Sequence, residues 1–333
     1  METIKNKFSF LNNIKTTELG LIIFMIIATI YIQFNNTNFL TTNNILDLLK
    51  NTSLLGILAV GMMLVMLTGG IDLSVGSVVA LSGMTVGVLL NNYPNLPVIF
   101  ALIIGMTVGL VSGVILGIII SKGNILPIIA SLGMMNILRG LTYIVGNNAW
   151  ISAHQMPTGF KALSTSSLLG INYLIWISII VFAIFFYVLN YTRTGRYFYA
   201  IGSNNAATRI TGIKKDLNII IAYSLNGLLA GLTGVLWVSR FASAQGDTAA
   251  GYELNVIAAC VLGGVSVTGG IGKVSGVILG TLTFGILNNA LPLLGVSTFW
   301  QEAITGIVIL FAVVLNITLE RRSTKKALKG RGI

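Results

Sequence analysis

Few residues in this chain have side chains suited to covalent chemistry, and their spacing excludes most reactions. Gly270-Ile271-Gly272-Lys273 has the outline of a phosphate loop. A Walker loop needs a glycine five residues before its Gly-Lys pair, and a Ser or Thr after the lysine to reach Mg²⁺. Those positions hold Val267 and Val274. The dinucleotide pattern fails too, because Ser275 stands where its third glycine belongs. His154 is the sole histidine, expected in a solvated loop, and Cys260 is the sole cysteine, inside an apolar run. No Ser/His/Asp set, internal disulfide or metal site can be built from them. The chain is therefore expected not to be an enzyme and to hold no cofactor. If ATP and Mg²⁺ drive it, another subunit binds them.

What remains is polar chemistry in apolar surroundings. Gly69-Gly70-Ile71-Asp72-Leu73-Ser74-Val75-Gly76-Ser77 interrupts two apolar runs with glycines and a carboxylate. An acidic residue near the bilayer centre costs about 2.5–3.5 kcal/mol on insertion scales, so Asp72 must be paired or wetted. Read structurally it is an N-cap for the helix that follows; read functionally it is a gate or interface group. Gly69, Gly70, Asp72 and Ser74 form that candidate gate or structural turn. Asn226, Asn288 and Asn289 lie inside apolar runs, where amides either line a path for a polar solute or bond helix to helix. Arg139, roughly 20 Å into its own helix at 1.5 Å per residue, either snorkels outward or faces the interior. It joins the three amides as a candidate substrate-pathway residue.

The elements that must position these residues are membrane helices. Of 333 residues, 55% are hydrophobic and 9% charged, with a mean hydropathy of +0.90. A soluble domain is about a quarter charged, so a water-soluble surface cannot be built from this chain. Apolar runs long enough to cross a bilayer lie near 18–34, 45–68, 74–91, 97–121, 125–146, 172–190, 217–239, 253–267, 274–291 and 298–319. The eighth is short, and is expected to be tilted, broken or only partly spanning. The first follows three lysines but no small-x-small cleavage pattern follows Phe34, so it reads as a retained helix. The fold class is all-α, a polytopic membrane protein of about ten helices forming a single domain over 1–333.

The net charge of +11 does not point to nucleic acid, because the basic residues sit in short loops between apolar runs. Simple alternation puts sixteen of the twenty Lys and Arg on one side, in residues 1–17, at Lys122, in 191–216, at Lys273 and in the tail 320–333. By the positive-inside rule that side is cytoplasmic, and both termini lie there. The loop 147–171 falls on the opposite side. Thr68-Gly69-Gly70-Ile71 recurs as Thr268-Gly269-Gly270-Ile271, and Gly76 is echoed by Gly276. This is either coincidence in a glycine-rich membrane sequence or an internal structural repeat with irregular backbone lining a cavity. Both copies have the same expected orientation, so the echo does not support an inverted repeat.

At GIDLSVGS the chain is similar to the signature of permease subunits of ribose-type ABC importers, which move simple sugars. Three further stretches resemble that family in the same order: Leu126-Pro127-Ile128 through Arg139-Gly140; Gly195-Arg196-Tyr197 through Gly202-Ser203-Asn204 to Gly212-Ile213; and Gly251-Tyr252-Glu253-Leu254 through Leu262-Gly263-Gly264. Locally, 149–156 and 236–240 are most similar to the rhamnose and furanosyl-autoinducer branches, whereas Ser203-Asn204 is closer to the ribose pattern. The resemblance implies a second permease copy or a paralogue, a cytoplasmic ABC ATPase and a periplasmic or lipid-anchored sugar-binding protein. It implies a multi-pass protein of the bacterial inner membrane, in contact with membrane lipid and not with nucleic acid.

The loop 191–216 is then expected to couple this chain to the ATPase, through Arg196, Tyr197, Gly202, Ser203, Asn204, Ala206, Ala207, Arg209 and Gly212. Ser203 can cap a short helix over 204–210 and Gly212 can end it in the left-handed conformation. The aromatic set Tyr197, Phe198 and Tyr199 suits a contact core; otherwise the loop is a solvated positive-inside connection. The reading is a monosaccharide permease switched between outward and inward access by ATP-driven closure of its partners. The rival is an ion-coupled secondary transporter, for which Asp72, Asp47 or Glu302 would be the intramembrane carboxylate.

Overall fold

Apolar runs this long satisfy their backbone groups in lipid only as helices, and helices are what form. The computed structural model describes residues 16–204, 208 and 211–329. We number the helices α1 (Thr16–Asn35), α2 (Thr42–Leu67), α3 (Val75–Asn92), α4 (Val98–Gly123), α5 (Pro127–Val145), α6 (Thr158–Thr165), α7 (Tyr173–Tyr191), α8 (Arg193–Ser203), α9 (Lys215–Phe241), α10 (Tyr252–Leu262), α11 (Val274–Leu293) and α12 (Thr298–Lys329). Eight of them, all but α6, α8, α10 and α12, are long and apolar enough to cross a membrane. The ten expected runs correspond to these eight plus α10 and the apolar part of α12, Thr298–Phe311. α12 continues through the expected tail as far as Lys329. The sole sheet among the described residues is a two-stranded hairpin, β1 (Ser167–Leu168) and β2 (Ile171–Asn172).

α2, α3 and α9 form the centre: 83%, 72% and 78% of their most apolar windows are buried, against 6% in α1 and 22% in α5. Peripheral helices present Ile, Leu and Phe outward, the surface that lipid covers. Lipid removes the hydrophobic drive between helices, so close packing must hold the bundle together. Gly105, Gly109, Gly113 and Gly117 form one face of α4 and lie directly on the backbone of α9, at Gly231, Gly227, Tyr223 and Ile220. A single Cβ at Gly109 would collide with the Gly227 carbonyl, so the four-residue spacing is a packing requirement. Ser82 of α3 reinforces the crossing, donating to the carbonyls of Gly231 (2.7 Å) and Gly105 (3.1 Å).

The eighth run is a half-length helix. Residues 242–251 leave α9 in irregular backbone; Ala244 bridges Ile151 in both directions at 3.0 Å, and Ala249 then meets Gly76 at the start of α3. α10 starts only there, with Gly251 in the left-handed region at φ 76°. Its end packs on α11 through Gly263, Gly276 and Gly280.

Candidate functional site

Three features are built from the polar residues, and the first is a turn. Asp72 is not the N-cap of α3; Ser74 occupies that position. Asp72 instead folds the segment before it, one oxygen accepting from the Ser74 N–H (2.8 Å) and the Ser74 hydroxyl (2.6 Å). Its other oxygen accepts from Asn226 Nδ2 at 2.8 Å. Both residues are buried, at 2% and 0% exposure, so the carboxylate is paired rather than wetted. Gly61 of α2 leaves the space that Asn226 occupies. Asn226 therefore bonds the α2–α3 turn to α9, which is the helix-bonding alternative at that position.

The second is a junction of backbones. Gly69 and Gly269 adopt similar left-handed φ angles, 83° and 98°. Each donates its N–H to the carbonyl three residues earlier, Met66 at 2.9 Å and Ser266 at 3.4 Å. The two copies of the sequence echo thus form similar turns. They also touch, with Gly270 N–H donating to Leu67 carbonyl at 3.0 Å. Gly202 of α8 closes the junction, where any side chain would strike the Leu67 carbonyl and the backbone of Gly269 and Gly270.

α8 differs from expectation. The described short helix precedes Ser203: Thr192 caps it, its hydroxyl accepting from Gly195 N–H at 3.2 Å, and Ser203 ends it. Of the segment expected to be helical after Ser203, Thr208 is helical and bonds back to Asn204, and Gly212 has the expected positive φ of 74°. Ala206, Ala207 and Arg209 lie outside the described residues. Phe198 is fully buried, and Tyr199 donates to the Gly272 carbonyl at 2.9 Å. Burial pushes the Tyr199 phenol above its usual range. Arg196, by contrast, is exposed on α8, and Tyr197 is half-buried.

The third feature is a cavity of about 290 Å³ at the opposite end, between α2, α11 and the start of α10. Amides and hydroxyls line it: Asn44, Asn51, Thr52, Tyr252, Asn288 and Asn289. No carboxylate does. Asn44 and Asn289 exchange reciprocal amide bonds of 2.9 Å across the α2–α11 contact, whereas Asn288 is exposed. Asn51 accepts from Arg240 Nε at 3.3 Å, and Arg240 also pairs with Asp47 at 3.0 Å. Asn226 and Arg139 lie elsewhere. Arg139 donates to the carbonyls of Gly246 and Thr248 at 2.9 and 2.7 Å, which ties the irregular segment before α10 to α5. His154 lies exposed in a short turn. Sequence reasoning missed Asn44, Asn51 and Thr52. Their signal was polar groups seven and eight residues apart, two helical turns, along α2, which only contact with α11 makes informative.

A central helix trio crossed through glycines, a paired buried carboxylate and an uncharged polar cavity define a multi-pass transport protein. The chain belongs to the family described as branched-chain amino acid transport system / permease component, whose family model matches residues 44–313. It is 42% identical to the ribose import permease protein RbsC of Escherichia coli K12 over 89% of this chain and 91% of that one. Identity to RbsC of Bacillus subtilis is 43%, covering 90% and 91%. The L-arabinose ABC transporter permease protein AraH of Azospirillum brasilense is 36% identical, covering 93% and 90%. No solved structure matches.

Proposed function

We propose that this chain is the membrane-spanning permease subunit of an ATP-driven importer for a neutral monosaccharide, with ribose the first candidate. The observation that carries this reading is the end-to-end similarity to ribose import permeases, 42–43% identity along 91% of their length. The polar cavity agrees with it: amides and hydroxyls exchange hydrogen bonds with a polyol without the desolvation cost of a buried charge. ATP and Mg²⁺ belong to a separate ABC ATPase, and a periplasmic or lipid-anchored binding protein delivers the sugar. A second permease, identical or paralogous, completes the pathway. Both termini face the cytoplasm of a bacterial inner membrane, and the segment 191–216 receives the ATPase.

On this reading, Asn288 and Asn289 border the sugar path. Asn226 and Arg139 act on the elements around it, through Asp72 and through the Gly246–Thr248 carbonyls. The test is reconstitution of the permease with its ATPase and binding protein in proteoliposomes. Labelled D-ribose should accumulate only with ATP inside or outside according to orientation, and a proton or sodium gradient should not replace ATP. Uptake driven by an ion gradient without the ATPase would establish the ion-coupled reading in its place.

A further inference from the structure

Asn51 lines the amide cavity on the same face of α2 as Leu48 and Leu55, and it is exposed rather than sealed. Its contacts fix which way its amide points. Arg240, in the last turn of α9, donates to it from Nε at 3.3 Å and to Asp47 from Nη2 at 3.0 Å. A guanidinium can only donate, so the end of Asn51 turned toward it must be the carbonyl Oδ1. The Nδ2 amino group is therefore turned away from Arg240, and it makes no hydrogen bond among the described residues. Lys50 also approaches Asp47, at 3.6 Å, so the carboxylate is held from two sides. Asp47 is 54% exposed, and exposed ion pairs add little to stability. What the Asp47–Arg240 pair supplies is direction. Elsewhere in the wall, Asn288 is exposed and makes no side-chain bond among the described residues, whereas Asn44 and Asn289 are occupied with each other.

We propose that Asn51 donates from Nδ2 to one hydroxyl oxygen of the transported sugar, and that Arg240 is the positioning residue that keeps this amide turned donor-first. The inference rests on the sugar-permease reading and adds the residue that distinguishes one polyol from another. A site built to bond a hydroxyl discriminates against the analogue lacking it, because the protein group is then left unpaired. A fixed donor goes further and selects for an acceptor at that position of the sugar. Asn288 carries no such restraint, so it can turn either end toward a neighbouring hydroxyl. Asp47 acts one step further back, holding the guanidinium that holds the amide.

The experiment compares D-ribose with its deoxy and deoxyfluoro analogues at carbons 2, 3 and 5, in proteoliposomes carrying the full complex. Fluorine accepts a hydrogen bond weakly and cannot donate one. Rates are read with saturating ligand-loaded binding protein, so that permease steps dominate. At one carbon, the wild type should carry the deoxy analogue more slowly than ribose by up to about tenfold, the range of one neutral hydrogen bond. The fluoro analogue at that carbon should fall between the two. Asn51→Asp keeps the shape and still accepts from Arg240, but it cannot donate. In that variant the fluoro analogue should drop to the deoxy rate or below. Arg240→Met, which releases the amide, should narrow the same difference, and Arg240→Lys, which can still donate to Oδ1, should keep part of it. If Asn51 only braces Arg240, Asn51→Asp leaves every analogue ratio unchanged, and the inference is overturned. Equal slowing of all sugars in Arg240→Met would overturn the positioning by Arg240. Should Arg240→Met fail to assemble, Asn51→Asp decides alone. A wild-type complex that carries ribose without discriminating among the analogues also overturns the inference, whereas one that carries none of these sugars counts against the proposed function itself.

Discussion

Asp72 shows how a carboxylate survives in an apolar bundle: its bonds are all satisfied, and together they restrain two elements. Ser74 folds the turn into α3, and Asn226 ties that turn to α9. Asp72→Asn preserves shape and leaves one oxygen for Ser74, while the charge that orients Asn226 is lost. On the proposed reading we expect normal membrane insertion and at least a tenfold loss of uptake, measured as ribose accumulation per assembled complex. Normal uptake would show that the charge is dispensable. Asn226→Leu is the harsher change, because it strips a buried carboxylate of a partner without removing the carboxylate. A loss of about 1–3 kcal/mol or more follows from leaving such a group unsatisfied. It should appear as a lower midpoint in thermal unfolding of the detergent-solubilised protein. Combining it with Asp72→Asn should recover part of that loss, since the buried charge is then gone.

At the scale of elements, α8 meets the two glycine turns by a direct backbone contact at Gly202. Gly202 meets the Leu67 carbonyl and the backbone of Gly269 and Gly270, and Tyr199 bonds Gly272. At Gly202 no side chain lies between the backbones to absorb a displacement, and close-packed contacts transmit strain. On the proposed reading, a push on α8 from the ATPase would therefore move the end of α2 and the segment leading into α11 together. Gly202→Val places branched carbons against three backbone groups that cannot yield. We expect the variant to insert and to bind ATPase, yet to lose coupling: hydrolysis in liposomes should no longer rise with sugar-loaded binding protein. On the same reading, replacing Ala206 and Ala207 with Asp tests the proposed docking role rather than the junction, and should lower co-purification with the ATPase. Losing one packed contact costs ~2 kcal/mol, over tenfold in affinity. Intact coupling in both variants would remove this segment from the mechanism.

For the whole molecule, the outstanding property is its asymmetry across the membrane. Lys122, Arg193, Lys214 and Lys273 belong to one end, where a second cavity lies between Thr68–Gly70, the Ser121–Pro127 connection and Lys215–Tyr223. The amide-lined cavity occupies the other. Single cysteines at Thr37, Asn95 and His154, all exposed, should react with an impermeant maleimide added to intact cells. Cysteines at Lys214 and Lys273, also exposed, should react only after permeabilisation. Labelling at position 214 in intact cells would reverse the orientation drawn from charge.

The ten apolar runs, their approximate limits and the short eighth run were legible in the sequence because lipid leaves the backbone few alternatives and hydropathy reports them directly, whereas the short helices α6 and α8 were not. The absence of nucleotide motifs and the polar interruption at 69–77 were legible too, since each is a matter of residue type at close spacing. Pairing was not. Asp72 with Asn226, Asn44 with Asn289, and Thr52 with Gly285 are separated by more than 150 residues, and nothing in the local sequence of α2 says which of its faces meets α9 and which meets α11. The glycine echo was visible as letters, but its contact, with Gly202 closing it, exists only once α2, α8 and the end of α10 converge. Local energetics decides where a helix runs. Which amide becomes a structural tie and which borders a cavity depends on the neighbour that tertiary packing brings, because a polar group inside a membrane protein is defined by its partner.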